Sequence, residues 1–500
     1  MSSEEKKQPK KKAKWRRRLK WVIYLVAIYS VISFIYSLIP ETALEVNFLQ
    51  EKKIALQGPL LAGFAKSEIT PPAHLWEKLN IYGQKPPISG VHDRIFARAL
   101  VVSSPESRER IAIVSCDLLI ITKDLKEAVL KKLEGKVNGE TELLLAATHT
   151  HTTIGNYWDN NIGQRVLGKY SPEFSSFLAE RIAYVVAQAG ENARPAQMAY
   201  VKEEAHGLSK SRRARDPASG ERSPIDREVA VIKFASAEQE ALGYIISFPA
   251  HPVTLYRRTQ GKISGDYPGF LANSVEEEGG VAIFLSGALG GVRSTAPGPT
   301  DEYKGEKEPF AKALKQADLL TQEVRRLYQN LETKPVSSAV SLSATIELPA
   351  ADIHFLPEER PFTGLRFYGA IPAKIFSLLA DYFVLPDETE LQMVKIDDII
   401  FLATPADLSN AVGRELKETL SGFVLPLSHC NDYALGYVPS RAEYDMGGVF
   451  SGSAAYERFM DFYGKRTAPF LIQAFLKMQI RLDSSSAMPA SSILTPHSAR

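Results

Sequence analysis

Cysteine is nearly absent from this 500-residue chain, which holds only Cys116 and Cys430. Two thiols make neither a disulfide framework nor a four-cysteine metal site. They either pair in an oxidising compartment or stay as two buried free thiols. Glycine and proline, at 32 and 30 residues, are too few for a collagen-like or low-complexity chain. No long linker and no internal repeat is legible between residues 58 and 482. Net charge is also scarce, at +2 for the whole chain. The remaining composition, 45% hydrophobic and 24% charged, is that of a folded globular protein.

The near-neutral total conceals an asymmetry. Residues 1–20 hold ten Lys/Arg against Glu4 and Glu5, a net +8, so the rest of the chain carries −6. The body is therefore mildly acidic, and nucleic acid is not an expected partner. Residues 21–39 follow without a charge and end at Pro40. As a helix they reach about 29 Å, close to the hydrocarbon thickness of a bilayer. The run is longer than a signal-peptide core and lacks a small-x-small cleavage site. The expected reading is an uncleaved signal-anchor, with Trp21, Tyr24 and Tyr36 at the interfaces. It implies a single-pass cell-membrane protein with a cytoplasmic N-terminus and an extracytoplasmic body. The basic tail then faces anionic lipids.

Beyond the anchor, strands alternate with helices. Strands are expected at residues 99–103, 111–115, 142–147, 229–234, 243–248, 281–285 and 399–403. Helices are expected at 123–133, 172–189, 309–327 and 408–420. The fold class this predicts is α/β, a single large mixed α/β catalytic domain. The expected organisation is a basic cytoplasmic tail (1–20), a transmembrane helix (21–39), a juxtamembrane stalk (40–57), a catalytic domain (58–482) and a disordered tail (483–500). Residues 369–385 form an apolar stretch interrupted by Lys374 and Asp381, either a buried helix or an amphipathic one.

The chemistry concentrates where apolar strands end. Residues 143–147 run straight into His149-Thr-His151. On a strand, residues i and i+2 share a face, so both imidazoles can enter one site. Zn²⁺ favours such nitrogen ligands, although a His-x-His also occurs in structural roles. A second apolar strand ends at Pro249-Ala-His251, and a third at Thr404-Pro-Ala-Asp407. Strand carboxyl ends are the usual ligand position in α/β proteins. Asp407 also suits a helix N-cap, and Asp266 suits a turn cap in Ser264-Gly-Asp-Tyr-Pro268.

Taken in order, these residues resemble the neutral/alkaline ceramidase family. The resemblance runs through Gly63-Phe-Ala-Lys-Ser-Glu-Ile-Thr-Pro-Pro72, Gly90-Val-His-Asp-Arg-Ile-Phe-Ala-Arg-Ala99, Ser115-Cys-Asp117 and Ala147-Thr-His-Thr-His151. It continues through Ser209-Lys-Ser-Arg-Arg213, Asp226-Arg-Glu228, His251-Pro-Val-Thr254, Ile263-Ser-Gly-Asp266, Ala403-Thr-Pro-Ala-Asp-Leu408 and the segment from Asn431 to Tyr444. The resemblance implies Zn²⁺ held by His149, His251, Asp407 and Tyr437, with Tyr433 as the alternative tyrosine. Asp407 stands where the family has glutamate. His151 and Arg212 would stabilise the substrate oxyanion, and Asp407 would share the water's proton.

The implied activity is a zinc-dependent amidohydrolase in lipid, and specifically sphingolipid, metabolism. It would cleave the amide bond of an amphiphilic N-acyl substrate with a zinc-activated water. Three departures bear on substrate. Arg293, followed by Ser294, occupies a family serine position, and Val449 occupies a family tyrosine position. The sequence also stops soon after the last motif, so no C-terminal β-sandwich domain is expected. The departures leave two competing functions, a non-catalytic lipid- or glycan-binding surface protein and a zinc ester or phosphoester hydrolase.

Overall fold

The computed structural model describes residues 20–28, 31, 44–84, 87–212, 224–298, 308–353, 377, 379–380, 385–445, 457 and 460–484. Three five-stranded sheets make up the body. The first orders its strands Thr141–Ala147, Arg110–Cys116, Phe96–Ser103, Leu61–Glu68 and Arg194–Pro195. The second orders Val281–Ser286, Ala241–Phe248, Glu228–Ala235, Gln197–Glu204 and Lys334–Pro335. The third orders Phe423–Leu427, Ile399–Ala403, Glu388–Ile396, Ser338–Glu347 and Phe48–Gln57.

All three sheets share one plan. Three strands meander antiparallel, a helix crosses over, and a fourth strand joins parallel to the third. The crossover helices are Lys123–Leu133, Asp266–Glu276 and Asn410–Thr419, and a second helix follows each fourth strand: Pro172–Glu191, Glu308–Tyr328 and Thr467–Ser484. The chain thus repeats one β-β-β-α-β-α unit three times. Residues just ahead of each unit's first strand meet in a closed ring of backbone hydrogen bonds. Ala196 N–H donates to Leu60 O, Val336 N–H to Ala196 O, and Leu60 N–H to Val336 O, at 3.0–3.2 Å.

Local sequence accounts for the elements. Each third strand is almost wholly buried, as a central strand covered on both faces must be. Thr122, Ser171 and Ser409 cap their helices through side-chain oxygens that accept from Leu125, Phe174 and Val412 N–H. One apolar core draws residues from all three sheets, among them Ile113, Phe234 and Phe401. Three further cores join each sheet's other face to its own helices. The carboxyl ends of the third and fourth strands of every unit consequently converge on one end of the body.

The structure corrects the expected architecture in two respects. Among the described residues no helix is long and apolar enough to cross a membrane. Residues 20–28 are helical, but most of the expected span from 29 to 39 lies outside the described residues. The body is mixed α/β as expected, with its strands gathered in three five-stranded mixed sheets. Phe48–Gln57, assigned to the stalk from sequence, is an edge strand of the third sheet. The basic tail to residue 19, most of residues 369–385, Val449 and residues 485–500 also lie outside the described residues. Cys116 and Cys430 are both buried and free.

Candidate metal centre

His149 leaves the fourth strand of the first unit with φ 59°, in the left-handed region. Its Nδ1 lies 2.6 Å from Leu119 O. His251 follows the third strand of the second unit, with Nδ1 2.8 Å from Leu289 O and 2.9 Å from Val292 O. Carbonyl oxygens only accept, so both Nδ1 atoms carry the proton and both Nε2 atoms turn into the site, where that of His251 accepts from Arg212 at 2.8 Å. The His251 Nε2 lies 3.1 Å from Asp407 Oδ2. His149 Nε2 lies 3.9 Å from the same oxygen.

Asp407 belongs to a two-residue strand, Asp407–Leu408, that runs parallel to Tyr437–Val438 and places Asp407 beside Tyr437. The helix cap that Asp407 suited from sequence is Ser409 instead. Gly290 allows this approach, because a Cβ there would meet Ser409 Cα at 2.8 Å and Asp407 Oδ1 at 3.0 Å. The Tyr437 hydroxyl lies 3.4 Å from His251 Nε2. Tyr433 stands farther back, its ring stacked on His429 at 5.6 Å between centroids.

Arg212 N–H donates to Gly291 O, which brings the guanidinium within 2.8 Å of His251 Nε2. His151 Nε2 lies 3.1 Å from His149 Nε2, with its ring between Tyr82 and Tyr256. The structure therefore gathers His149, His151, Arg212, His251, Asp407 and Tyr437 in one place. Asp266 stays apart, accepting from Leu255 and Tyr267 N–H as a turn-capping residue. Arg293 is exposed, and Ser294 Oγ donates to His251 O at 3.0 Å, steadying that turn.

His429 is the residue that sequence reading missed. It follows the fourth strand of the third unit at the place His149 holds in the first, with a matching φ of 57°. Its ring stacks on His149 at 3.7 Å and 4°, and its Nε2 lies 3.9 Å from Asp407 Oδ2. Asn431 holds the two strand ends together, with Oδ1 accepting from Leu145 N–H and its own N–H donating to Leu145 O. The signal was an apolar strand ending two residues before a histidine, obscured by Pro426 inside the strand.

Electrostatics prepare these groups for a cation. Burial, then the charges of His429 and His151, hold the His149 imidazole well below its ordinary pKa. Burial, His251 and Arg212 do the same for His151, and burial with Arg212 lowers His251. Burial pushes His429 down to about 4. Burial would raise Asp407, but the charge and hydrogen bond of His251 hold it at about 2. Near neutral pH the site is thus neutral imidazoles around an ionised carboxylate, the protonation state a metal requires.

Both ring nitrogens of His429 and Asp407 Oδ1 are buried without a hydrogen-bond partner among the described residues. Each such group costs about 1–3 kcal/mol unless something satisfies it. Nitrogen and carboxylate donors at this spacing fit a zinc-like cation. A cavity of about 400 Å³ opens onto His149, His151 and Tyr437. Trp158, Tyr433, Leu385 and Phe462 form apolar walls, and Lys123, Asp124, Asp159 and Asp432 also line it.

The chain is similar to known proteins over most of its length. Residues 61–301 match the family described as neutral/alkaline non-lysosomal ceramidase, N-terminal. The neutral ceramidase of Pseudomonas aeruginosa is 24% identical over 87% of this chain and 74% of its own. That of Mycobacterium tuberculosis is 26% identical over 40% of this chain and 33% of its own. The crystal structure of the Pseudomonas ceramidase has the same fold, with a TM-score of 0.68 at 20% identity over 88% of this chain and 77% of that one. A ceramidase complexed with C2 superposes equally well, with a TM-score of 0.69. Because those ceramidase chains extend beyond the matched part, the expected one-domain architecture is corrected to an α/β body that forms one part of the larger solved fold.

Proposed function

We propose that the protein is a zinc-dependent hydrolase that cleaves the amide bond of an N-acylated, lipid-like substrate. The carrying observation is the convergence of Nδ1-tethered histidines and ionised Asp407 beside an apolar-walled cavity that His149, His151 and Tyr437 line. Ceramidase relatives, one of them solved as a ceramidase complexed with C2, support the amide and the acyl chain.

His149, His251 and Asp407 would hold the metal. The fourth place goes to Tyr437 by the family resemblance, and His429 competes for it. When bound, Zn²⁺ lowers the pKa of a coordinated water and polarises a carbonyl. The remaining steps belong to this chain. Trp158, Tyr433 and Phe462 offer an apolar surface for acyl chains and exclude water around the scissile bond. Asp407, ionised and buried, accepts the proton of the attacking water. Arg212, with His151, stabilises negative charge developing on the carbonyl oxygen.

Metal analysis of the purified full chain, with a hydrolysis screen of N-acyl lipids, esters and phosphoesters, tests this. About one zinc per chain and cleavage of the N-acyl lipids, both lost on chelation, are expected. Full activity without metal, or cleavage of phosphoesters alone, refutes it.

A further inference from the structure

The strand that leads to His149, Thr141–Ala147, lies at the edge of the first sheet. Its outer side is closed by residues 429–431, which follow the fourth strand of the third unit. Ala147 N–H donates to His429 O at 3.1 Å, and Ala146 pairs with Cys430. Asn431 extends this contact with backbone and side chain together. Its N–H donates to Leu145 O at 2.7 Å, and its Oδ1 accepts from Leu145 N–H at 3.0 Å. One residue thus satisfies both backbone groups of Leu145, shortly before His149.

The other end of the carboxamide reaches into the third sheet. Nδ2 donates to Glu390 Oε1 and to Gln392 Oε1, each at 2.8 Å. Glu390 accepts again from Lys126, on the crossover helix of the first unit, at 2.5 Å, and Gln392 donates to Ser341 at 2.9 Å. Only a carboxamide offers two N–H donors and a carbonyl acceptor at this size. A carboxylate of the same shape would turn oxygen against the oxygens of Glu390 and Gln392. Asn431 is 2% exposed and has φ 62°, a left-handed conformation that asparagine and aspartate adopt more readily than most side chains. The chain then enters the site, where Asp432, Tyr433, Ala434 and Tyr437 line the cavity and Asn431 does not.

We infer that Asn431 is a positioning residue, whose carboxamide sets the His149 strand end and residues 432–437 at one fixed separation. A candidate metal ligand and the cavity wall are held in register by a side chain that lies behind both. The placement follows from geometry alone, and its effect on catalysis rests on the hydrolase reading. Asn431 opens the last of the sequence motifs, and this role gives it a use that the site chemistry does not.

The test introduces Asn431→Asp into the full chain, keeping size and left-handed tolerance and removing both donors. Zn²⁺ affinity is read by chelator competition, coordination by the visible spectrum of the Co²⁺-substituted protein, and stability by urea denaturation. Asn431→Asp is expected to weaken Zn²⁺ binding about 10–100-fold, as loss of groups behind metal ligands does, and to shift the Co²⁺ bands. KM for an N-acyl lipid should rise and kcat fall together, because ligand and wall move at once. Adding Glu390→Gln returns a donor to the same gap and should bring Zn²⁺ affinity back to within about threefold of wild type, where Glu390→Gln alone should also stay. Asn431→Ser, smaller and uncharged, takes over should the aspartate variant fail to fold, with the same expected loss of affinity. A folded variant that is less stable yet binds Zn²⁺ as wild type does, with unchanged bands, overturns the inference. So does a double variant without recovery, since the loss would then come from the added charge. A wild-type chain that binds no zinc overturns it too. Zinc binding that responds as described, without hydrolysis of any N-acyl compound, sinks the hydrolase reading and leaves the role of Asn431 standing.

Discussion

Two buried polar clusters lie in the same body and differ in one respect, whether their groups are partnered. Arg98, 2% exposed, donates from Nε to Glu276, from Nη1 to Asp117 and from Nη2 to Asn273, at 2.8–3.2 Å. Glu276 accepts again from Lys66, and Asp117 from Phe96 N–H. Burial opposes the Arg98 charge, yet Asp117 and Glu276 raise its pKa above the ordinary value. The histidine cluster is as deeply buried, but the ring nitrogens of His429 and Asp407 Oδ1 face no hydrogen-bond partner among the described residues. A cluster complete in itself serves the fold, here by joining the first sheet to the crossover helix of the second unit. One left incomplete is built around something else.

The largest expected effect separates the two clusters directly. Arg98→Ala leaves Asp117 and Glu276 buried without their cation and should lower unfolding stability by about 3–5 kcal/mol. Zinc per folded chain should not change, read by urea denaturation beside metal analysis. Loss of zinc from folded Arg98→Ala would break the contrast.

Acid should act next, and on the histidine side. The folded pKa of His429, about 4, lies below its ordinary 6.5. Between those values the unfolded chain binds the extra proton and the folded chain does not, so stability falls as pH drops from 6.5 to 4. The loss from His429 alone is on the order of 3 kcal/mol in the metal-free chain. His149, His151 and His251 shift in the same direction. Asp407 adds a loss between 3.8 and about 2, where its carboxylate takes up protons. Denaturation midpoints across this range should show the slope in wild type and a shallower one in His429→Gln, and equal slopes would contradict the assignment. The smallest effect belongs to the cavity wall. Trp158→Ala should raise KM for a long-chain N-acyl substrate about tenfold, roughly 1.4 kcal/mol, with kcat little changed. An equal rise for a short-chain substrate would argue against an acyl-chain contact.

Much of this organisation could be read from residues alone, for definite reasons. The third strands, such as Ile399–Ala403, are apolar throughout because both faces are covered, and they stood out. Helix Lys123–Leu133 was found with its bounds intact, starting from its threonine cap. The alternating strands Ser338–Glu347 and Glu388–Ile396 and the charged edge strand Phe48–Gln57 escaped, since half or more of their residues are polar. His149, His251 and Asp407 were recognisable as strand-end residues. His429 was not, because Pro426 hid its strand and because its stack on His149 depends on Asn431 bonding to a distant strand. The triple plan was equally hidden. It persists in hydrogen-bond pattern and topology, while the unit boundaries share little more than Arg194-Pro195 and Lys334-Pro335.

The ring formed by Leu60, Ala196 and Val336 also bears on how the chain must come together during synthesis. Its first bond can close once the second unit begins, but the bonds to Val336 wait for the third. Until then Leu60 N–H and Ala196 O sit at the centre without partners. A nascent chain stopped before residue 336 therefore has an open centre and an uncovered apolar face on each finished sheet. The three units are steps of one cooperative closure, and the two histidines that stack across the site meet only when that closure is complete.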